Sequence, residues 1–374
     1  MHKSKALTLL ITLLVPVIGL WATNVSESGR WSEERINQWH SDFGWIVGCN
    51  FLPSTAINQL EMFQAETYDP ETIDRELGLA ESLGFNTVRV YLHDLFWVHD
   101  KEGFLERLDD FLDICQSHNI KPMLVIFDGV WHPFPKWGKQ PEPIPHLHNS
   151  QWVQSPGVEI LSDPSKYDSL KPYVQGLMEY FKDDDRILAW DLFNEPENRN
   201  IPTYRRHEPL NKHDLAMELL DKTFKWAREV NPSQPLTAGI WLDYEGLIKN
   251  TPIFQLMLRE SDIITFHNYL HLEDVEKQVN MLKRLFDRPI ICTEYMARGN
   301  GSKFDPILGY FKDNNVGAYN WGLVNGKSQT IYPWESWEKV FRDEPFLWHH
   351  DIFRKNGEPY LKEEVEYIRS LTGK

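Results

Sequence analysis

Short apolar segments alternate along the chain with amphipathic segments, which is the pattern of a parallel α/β protein. Each apolar segment has the length of a buried strand, and the segments between them repeat apolar residues at helical spacing, as Phe104, Leu108 and Phe111 do. The predicted strands are 44–50, 87–92, 121–128, 187–195, 235–241, 262–269, 289–294 and 317–323. Eight such repeats favour a (β/α)₈ TIM barrel over a sandwich or a doubly wound sheet.

The predicted helices are 69–84, 103–119, 171–184, 211–230, 254–260, 272–286, 304–314 and 361–371. The first of them has Asp69 as a cap and Pro70 in its first turn, a typical helix start. The segment from Gly129 to Asp168 is rich in Pro, His and Trp and has few periodic features. We expect it to be a long loop over the barrel mouth.

The first residues have the layout of a secretory signal. Lys3 and Lys5 precede an uncharged, mostly apolar run over 6–20, and cleavage is expected near Ala22. An uncleaved membrane anchor is the alternative, although the run is short for a span. The prediction is therefore a signal peptide over 1–22, a single barrel domain over 23–374, and a secreted or periplasmic protein with no membrane contact after signal removal.

Composition narrows the set of partners. A formal net charge of −16 argues against nucleic acid and anionic membrane surfaces, which would repel the protein. The 15 tryptophans fit a carbohydrate partner, because indole rings stack on sugar faces, although most will fill the core. The three cysteines, Cys49, Cys115 and Cys292, are too scattered for a disulfide framework.

No metal and no cofactor are expected. No metal-ligand spacing involves the cysteines, and the segment ending in Ser328 lacks the first glycine of a phosphate loop. The run His349-His350-Asp351 could ligate a metal, but no third partner is apparent and a packing or surface role is the alternative.

Polar and aromatic residues collect where the predicted strands end. Active sites of TIM barrels lie at the carboxyl ends of the strands, so these residues are the candidate site. They are Asn50, the range Arg89 to His93, Asp128, Asn194, Glu195, Trp241, His267, Tyr269, Glu294 and Trp321.

Two glutamates stand out in this set. Glu195 ends the fourth predicted strand and Glu294 ends the seventh, so a barrel would bring them together although they are far apart in sequence. Two facing acids are what cleavage of a glycosidic bond requires. Taken singly, the Asn-Glu-Pro segment at 194–196 could be a turn or a helix start, and His267 could be a core histidine.

Several of these segments resemble the clan A glycoside hydrolases, and within that clan family 5, which contains cellulases and mannanases. The resemblance covers nearly the whole chain after the signal. It is carried by Gly84 to Arg89, Asn194-Glu195-Pro196, His267-Asn268-Tyr269, Thr293-Glu294-Tyr295 and Trp321.

The resemblance implies a role for each residue. Glu195 would be the general acid/base and Glu294 the ionised nucleophile, with Arg89 and Tyr269 holding Glu294 in its charged form. Asn194 would bind the sugar 2-hydroxyl, His267 would lie beside the scissile bond and Trp321 would form an apolar floor. Asn50 and Trp241 join the substrate-binding set as strand-end residues. The family often has a histidine soon after the third strand, and His132 is an uncertain counterpart.

The sequence thus predicts a retaining β-glycoside hydrolase that uses double displacement and no cofactor. A barrel that binds glycan without cleaving it is the alternative from another class, and a transglycosylase would use the same glutamate pair. Retention requires carboxyl groups about 5 to 5.5 Å apart, whereas inversion requires about 6.5 Å or more. The sugar, the linkage and the choice between endo and exo action are not determined by the sequence.

Overall fold

The computed structural model describes residues 29–374. The predicted signal peptide and its cleavage position lie outside these residues. No helix within 29–374 combines the length and the apolar character that crossing a membrane requires.

Eight parallel strands form the barrel, which confirms the predicted fold class. Their order in the sheet is β5-β4-β3-β2-β1-β8-β7-β6, and a parallel bridge between Ile240 and Phe266 spans the remaining gap between β5 and β6. The strands are β1 Val47–Asn50, β2 Thr87–Tyr91, β3 Met123–Asp128, β4 Ala189–Asn194, β5 Leu236–Thr237, β6 Ile264–His267, β7 Ile290–Tyr295 and β8 Gly317–Trp321.

Helices surround the barrel and follow its strands, with extra short helices in the loops. They are α1 Glu33–Phe43, α2 Gln59–Phe63, α3 Pro70–Ser82, α4 Leu95–His99, α5 Lys101–Ser117, α6 Val158–Leu161, α7 Lys171–Phe181, α8 Pro202–Arg205, α9 Lys212–Val230, α10 Tyr244–Ile248, α11 Pro252–Glu260, α12 Leu272–Leu285, α13 Phe304–Asp313 and α14 Lys362–Thr372. Three 3₁₀ segments, Pro164–Leu170, Arg298–Asn300 and Trp334–Trp337, lie between them. Helix α3 starts as predicted, with the Asp69 carboxylate accepting from the amide of Thr72 at 3.0 Å.

The fifth strand is shorter than predicted. The amide of Ala238 donates to the hydroxyl of Ser261 at 3.1 Å instead of joining the ladder, so the regular strand ends at Thr237. The segment 129–168 is mostly irregular, as predicted, although α6 and the start of the 3₁₀ segment Pro164–Leu170 interrupt it.

The amino-terminal ends of the strands are closed by the segment that precedes β1. Trp31 and Ile36 are buried there against strand residues that include Met123 and Ile291. The backbone amide of Trp31 donates to Asp262 at 2.7 Å. With this end sealed by packing, the open end of the barrel is the carboxyl end, where the candidate residues lie.

Candidate active site

A cavity of about 480 Å³ lies at the carboxyl ends of the strands. Two register shifts in the sheet fall beside it, one between Phe266 and His267 and one between Cys292 and Tyr295. Such irregularities change the direction of neighbouring side chains, and here they flank His267 and Glu294. The residues of the predicted site that line the cavity are Asn194, Glu195, Trp241, His267, Tyr269, Glu294 and Trp321.

Glu294 is buried and accepts three hydrogen bonds. Its Oε1 accepts from Arg89 Nη1 at 2.8 Å and from the hydroxyl of Tyr91 at 2.7 Å, and its Oε2 accepts from the hydroxyl of Tyr269 at 2.7 Å. Burial pushes its pKa up, but the nearby His267 and Arg89 and the two tyrosine hydroxyls outweigh burial and hold the pKa below its usual value. Glu294 is therefore prepared as a carboxylate.

Glu195 follows β4 directly and has a strained backbone, with φ of 42°. Its Oε1 lies 2.9 Å from His267 Nδ1, and its Oε2 accepts from Asn198 Nδ2 at 2.6 Å. Gly129 packs so closely below it that a Cβ there would lie 2.2 Å from the Glu195 carbonyl oxygen. Only glycine fits at that position, and this contact helps to fix the turn that presents Glu195 to the cavity.

The two carboxylates face each other across the cavity. One oxygen of Glu195, one oxygen of Glu294 and a ring nitrogen of His267 lie within 4.8 Å of one another. Three such groups could also surround a metal ion, but Arg89 already donates to Glu294 and its positive charge opposes a second cation. The arrangement suits proton transfer and nucleophilic attack at one centre.

Arg89 and Asn50 do not line the cavity; Arg89 donates to Glu294, and Asn50 accepts from Arg89. Arg89 is 1% exposed and donates to Asp191 Oδ2 at 2.8 and 3.0 Å, to Asn194 Oδ1 at 2.8 Å and to Asn50 Oδ1 at 2.9 Å. With its hydrogen bonds to Glu294 and to the hydroxyl of Tyr91, the guanidinium contacts five side chains. The structure thus places Arg89 against Glu294, as the resemblance implies, and places neither Arg89 nor Asn50, both predicted to bind substrate, in the lining of the cavity.

Asn194 lines the cavity and is fixed at both ends of its amide. Its Oδ1 accepts from Arg89, and its Nδ2 donates to Asp128 Oδ1 at 3.0 Å. Asp128 also accepts from Trp152 Nε1 at 2.6 Å, and burial raises the pKa of Asp128 to about 8. Within residues 29–374 the other N–H of this amide has no partner, so Asn194 has a donor left for a ligand in the cavity that it lines.

Two indole rings border the cavity from different sides. Trp321, at the end of β8, packs on Tyr91 with ring centroids 5.9 Å apart. Trp241, beyond β5, donates from Nε1 to Glu197 Oε1 at 2.7 Å. Burial raises the pKa of Glu197 to about 7. Since β5 and β8 lie on different sides of the barrel, the two indoles border the cavity from different directions.

The sequence placed Tyr91 within the strand-end range 89–93 but gave it no role, and it did not single out Asp191, Glu197 or Asn198. For two of them the sequence carried a signal. Tyr91 lies two positions after Arg89 on β2 and therefore shares its inward face, and Asp191 is a lone charge inside an apolar strand. Glu197 and Asn198 lie in an irregular turn, where no periodicity locates a side chain.

Other histidines considered in the sequence have different places. The ring of His132 packs against Tyr204, with centroids 5.1 Å apart, and does not line the cavity. His350 does line it, whereas His349 is buried with both ring nitrogens lacking a hydrogen-bond partner within residues 29–374.

The structure is similar to several solved glycosidases, at sequence identities that establish the fold alone. An endo-1,4-β-mannanase from Rhizomucor miehei matches with a TM-score of 0.58 at 15% identity, over 88% of this chain and 95% of the mannanase. A β-glucosidase, 1317, matches with a TM-score of 0.58 at 12% identity, over 88% and 98%. The exo-β-1,4-mannosidase Op5Man5 from Opitutaceae bacterium strain TAV5 matches with a TM-score of 0.57 at 18% identity, over 94% of this chain and 63% of that one.

The family model for cellulase (glycosyl hydrolase family 5) matches residues 49–343, which include both glutamates and every strand except the first two residues of β1. No match was found among curated proteins.

Proposed function

This chain belongs to glycosyl hydrolase family 5, a family of glycosidases, and on that premise we propose that it cleaves β-linked oligo- or polysaccharides by double displacement with retention of configuration. One observation carries the proposal. Glu294 is held as a carboxylate by three donors, and one of its oxygens lies within 4.8 Å of an oxygen of Glu195. Such a short distance between oxygens of the two carboxylates supports a retaining pair, in which the carboxyl groups are about 5 to 5.5 Å apart.

In the first step a Glu294 oxygen attacks the anomeric carbon. The bond between that carbon and the glycosidic oxygen breaks, and the oxygen leaves with the proton of Glu195. In the second step water attacks the same carbon, the Glu195 carboxylate takes a proton from the water, and the bond to Glu294 breaks. Each displacement inverts the anomeric carbon, so the product keeps the original configuration.

The remaining groups hold the reactants in place. The free N–H of Asn194 is positioned to donate to the sugar 2-hydroxyl, a contact that strengthens as positive charge develops on the ring. His267 Nδ1, 2.9 Å from Glu195 and 3.6 Å from Glu294, keeps the acid near the bond that it protonates. Trp321 provides an apolar surface for the sugar ring.

The test is a screen of purified protein on β-linked glucans, mannans and xylans and on matched aryl β-glycosides. Glu294→Ala is run beside it, with Glu363→Ala on the exposed first turn of α14 as the surface control. We expect cleavage by the parent and the control, none by Glu294→Ala, and a first-formed product in the β configuration by NMR. A first-formed α product would refute retention. Binding without cleavage across the panel would favour a glycan-binding barrel, and products longer than the substrate would reveal transfer to sugar acceptors.

We also propose that the protein is exported. Lys3 and Lys5, the run over 6–20 and Ala22 support a cleaved signal. Expression with the native leader in a secreting host, followed by mass determination of the amino terminus, tests this. A mature chain that begins near residue 23 is expected, and an intact leader retained in the membrane would contradict it.

A further inference from the structure

The loops that follow β3 and β8 are joined across one side of the barrel mouth. We call residues 144–154 together with 325–337 and His350 the wall. The amide of Asn149 donates to the carbonyl of Ser328 at 2.8 Å, and the amide of His148 donates to Ser336 Oγ at 3.1 Å. Trp337 Nε1 donates to the carbonyl of His148 at 2.9 Å. Two segments nearly two hundred positions apart thus form one surface.

The wall is also fixed to the loop after β1. Asn58 Nδ2 donates to the carbonyl of Gln151 at 2.9 Å, and Gln59 Nε2 donates to the carbonyl of Val153 at 2.7 Å. Lys327 Nζ forms an ion pair with Glu61 at 2.6 Å. The loops after β1, β3 and β8 are therefore connected to one another. Because each loop is held by contacts with the others, this side of the mouth is more rigid than a loop without such contacts would be.

The wall stands on the side of the nucleophile. Its Trp334 packs on Tyr269, with ring centroids 5.1 Å apart, and the Tyr269 hydroxyl itself donates to Glu294. Its loops arise from β3 and β8 and cross the ends of β1 and β2. The wall also touches the loop after β4, where Tyr204 packs on Trp337 with ring centroids 5.3 Å apart. Beyond this contact, above β4 and β5, the mouth is bordered by Asn198 and Trp241 next to Glu195. Because the leaving group departs beside the residue that protonates it, β4 and β5 are the leaving-group side and the wall closes the other side.

The wall presents buried hydrogen-bond acceptors to the cavity. Asn149 is 2% exposed, lines the cavity, and its Oδ1 has no partner among the described residues. His148 and His350 also line the cavity, and each uses Nδ1 on a backbone carbonyl, of Tyr332 at 2.8 Å and of Met296 at 2.6 Å. Since a carbonyl only accepts, Nδ1 carries the hydrogen and Nε2 is left as an acceptor. Burial lowers the pKa of His148 to about 3, which keeps this ring neutral.

We propose that the wall makes this protein an exo-glycosidase, in which His148, Asn149 and His350 accept hydrogen bonds from the hydroxyls of the terminal sugar. Trp334 of the wall packs on Tyr269, whose hydroxyl donates to Glu294, so the wall lies next to the place of the sugar that Glu294 attacks. The protein then releases monosaccharide from the non-reducing end. This rests on the proposed function, whose sugar class comes from the substrate screen.

The experiment uses a pentasaccharide of the cleaved sugar, labelled at its reducing end, and the same compound with its non-reducing 4-hydroxyl methylated. We expect free monosaccharide and labelled tetrasaccharide at the earliest times, and at least a tenfold slower reaction of the methylated compound. Labelled products of several sizes at the earliest times, or equal cleavage of the methylated compound, would refute exo action and leave the glycosidase proposal intact. Cleavage of neither these compounds nor the screening panel would refute both.

Two variants test the wall itself. Asn149→Ala should lower kcat/KM on an aryl β-monoglycoside about tenfold, the effect of losing roughly one hydrogen bond to substrate. Trp337→Ala removes the bond to the His148 carbonyl and the stacking on Trp131, and should allow cleavage of the methylated compound. The control is Phe346→Ala, at a fully exposed side chain in the loop after β8. It should change neither kcat/KM on the aryl β-monoglycoside nor the rate of cleavage of the methylated compound. Unchanged kcat/KM in Asn149→Ala would overturn the assignment of terminal-sugar contacts, even if Trp337→Ala fails to fold.

Discussion

Arg89 donates to Glu294 at 2.8 Å while almost completely buried, and the same guanidinium forms an ion pair with Asp191 at 2.8 Å. One buried cation thus lies between two buried carboxylates. A charge in this environment is costly unless it is paired and hydrogen-bonded, so the site depends on Arg89 to keep Glu294 ionised. Of the groups that hold Glu294, Arg89 and Tyr91 do not line the cavity, whereas Tyr269 does.

The first prediction concerns the nucleophile. Glu294→Ala should lower kcat by about 10⁴-fold or more, because the covalent intermediate can no longer form. Added azide should restore turnover of an activated aryl β-glycoside by occupying the vacated space, and the glycosyl azide should have the α configuration, inverted by a single displacement. A β-configured azide product would contradict the assignment. Circular dichroism checks that the variant is folded.

The second prediction separates the acid from the nucleophile. Glu195→Ala should retain the first step on substrates with good leaving groups, which need little protonation, and lose it on substrates with poor ones. Rates measured on a series of aryl glycosides should therefore depend more steeply on the leaving-group pKa than in the parent. An equal loss on all leaving groups would show that Glu195 is not the proton donor.

The third prediction concerns pH. Tyr269 donates to the charged form of Glu294, so Tyr269→Phe should raise the pKa of that carboxyl from its lowered value. Because Glu294 must be ionised to attack, the acidic limb of kcat/KM should move to higher pH, and activity at neutral pH should fall about 10- to 100-fold. The exposed Tyr180→Phe serves as the matched control. An acidic limb at the same pH in parent and Tyr269→Phe would refute the role of the hydroxyl.

The fourth prediction concerns stability. Burial raises the pKa of Glu197 from 4.5 to about 7, so the folded protein holds this proton over a range in which the unfolded chain has lost it. The contribution of this bound proton to the free energy of unfolding is fully present below pH 4.5 and is lost as the pH rises through 7. Glu197→Gln cannot ionise, so its stability relative to the parent should increase by about 3 kcal/mol between pH 4.5 and 8.

Urea unfolding of parent and variant at the two pH values measures this change. The exposed Glu338→Gln is the control, for which the difference from the parent should be the same at both pH values. A pH-independent difference for Glu197→Gln would show that Glu197 does not keep its proton in the folded protein.

Much of the fold was accessible from sequence because its signals are local. Apolar segments of strand length with helical segments between them predicted all eight strands, and the family resemblance that they carried is confirmed. The largest error in a strand, at the fifth, came from the hydroxyl of Ser261, which lies 23 positions from the amide it binds, and helix α1 before the first strand was not predicted. No pattern within the strand could reveal that competition.

The sequence by itself determined the barrel and the chemical types that gather at its mouth, including Glu195 and Glu294, because strand direction places strand ends together. Tertiary structure alone decided which groups support those acids and which side of the mouth is closed. The contacts of Arg89 join four strands, and the contact between His146 and Gln329 in the wall joins residues 183 positions apart. Such contacts follow from the geometry of the closed barrel and from loops without periodicity, and neither leaves a repeating pattern in the chain.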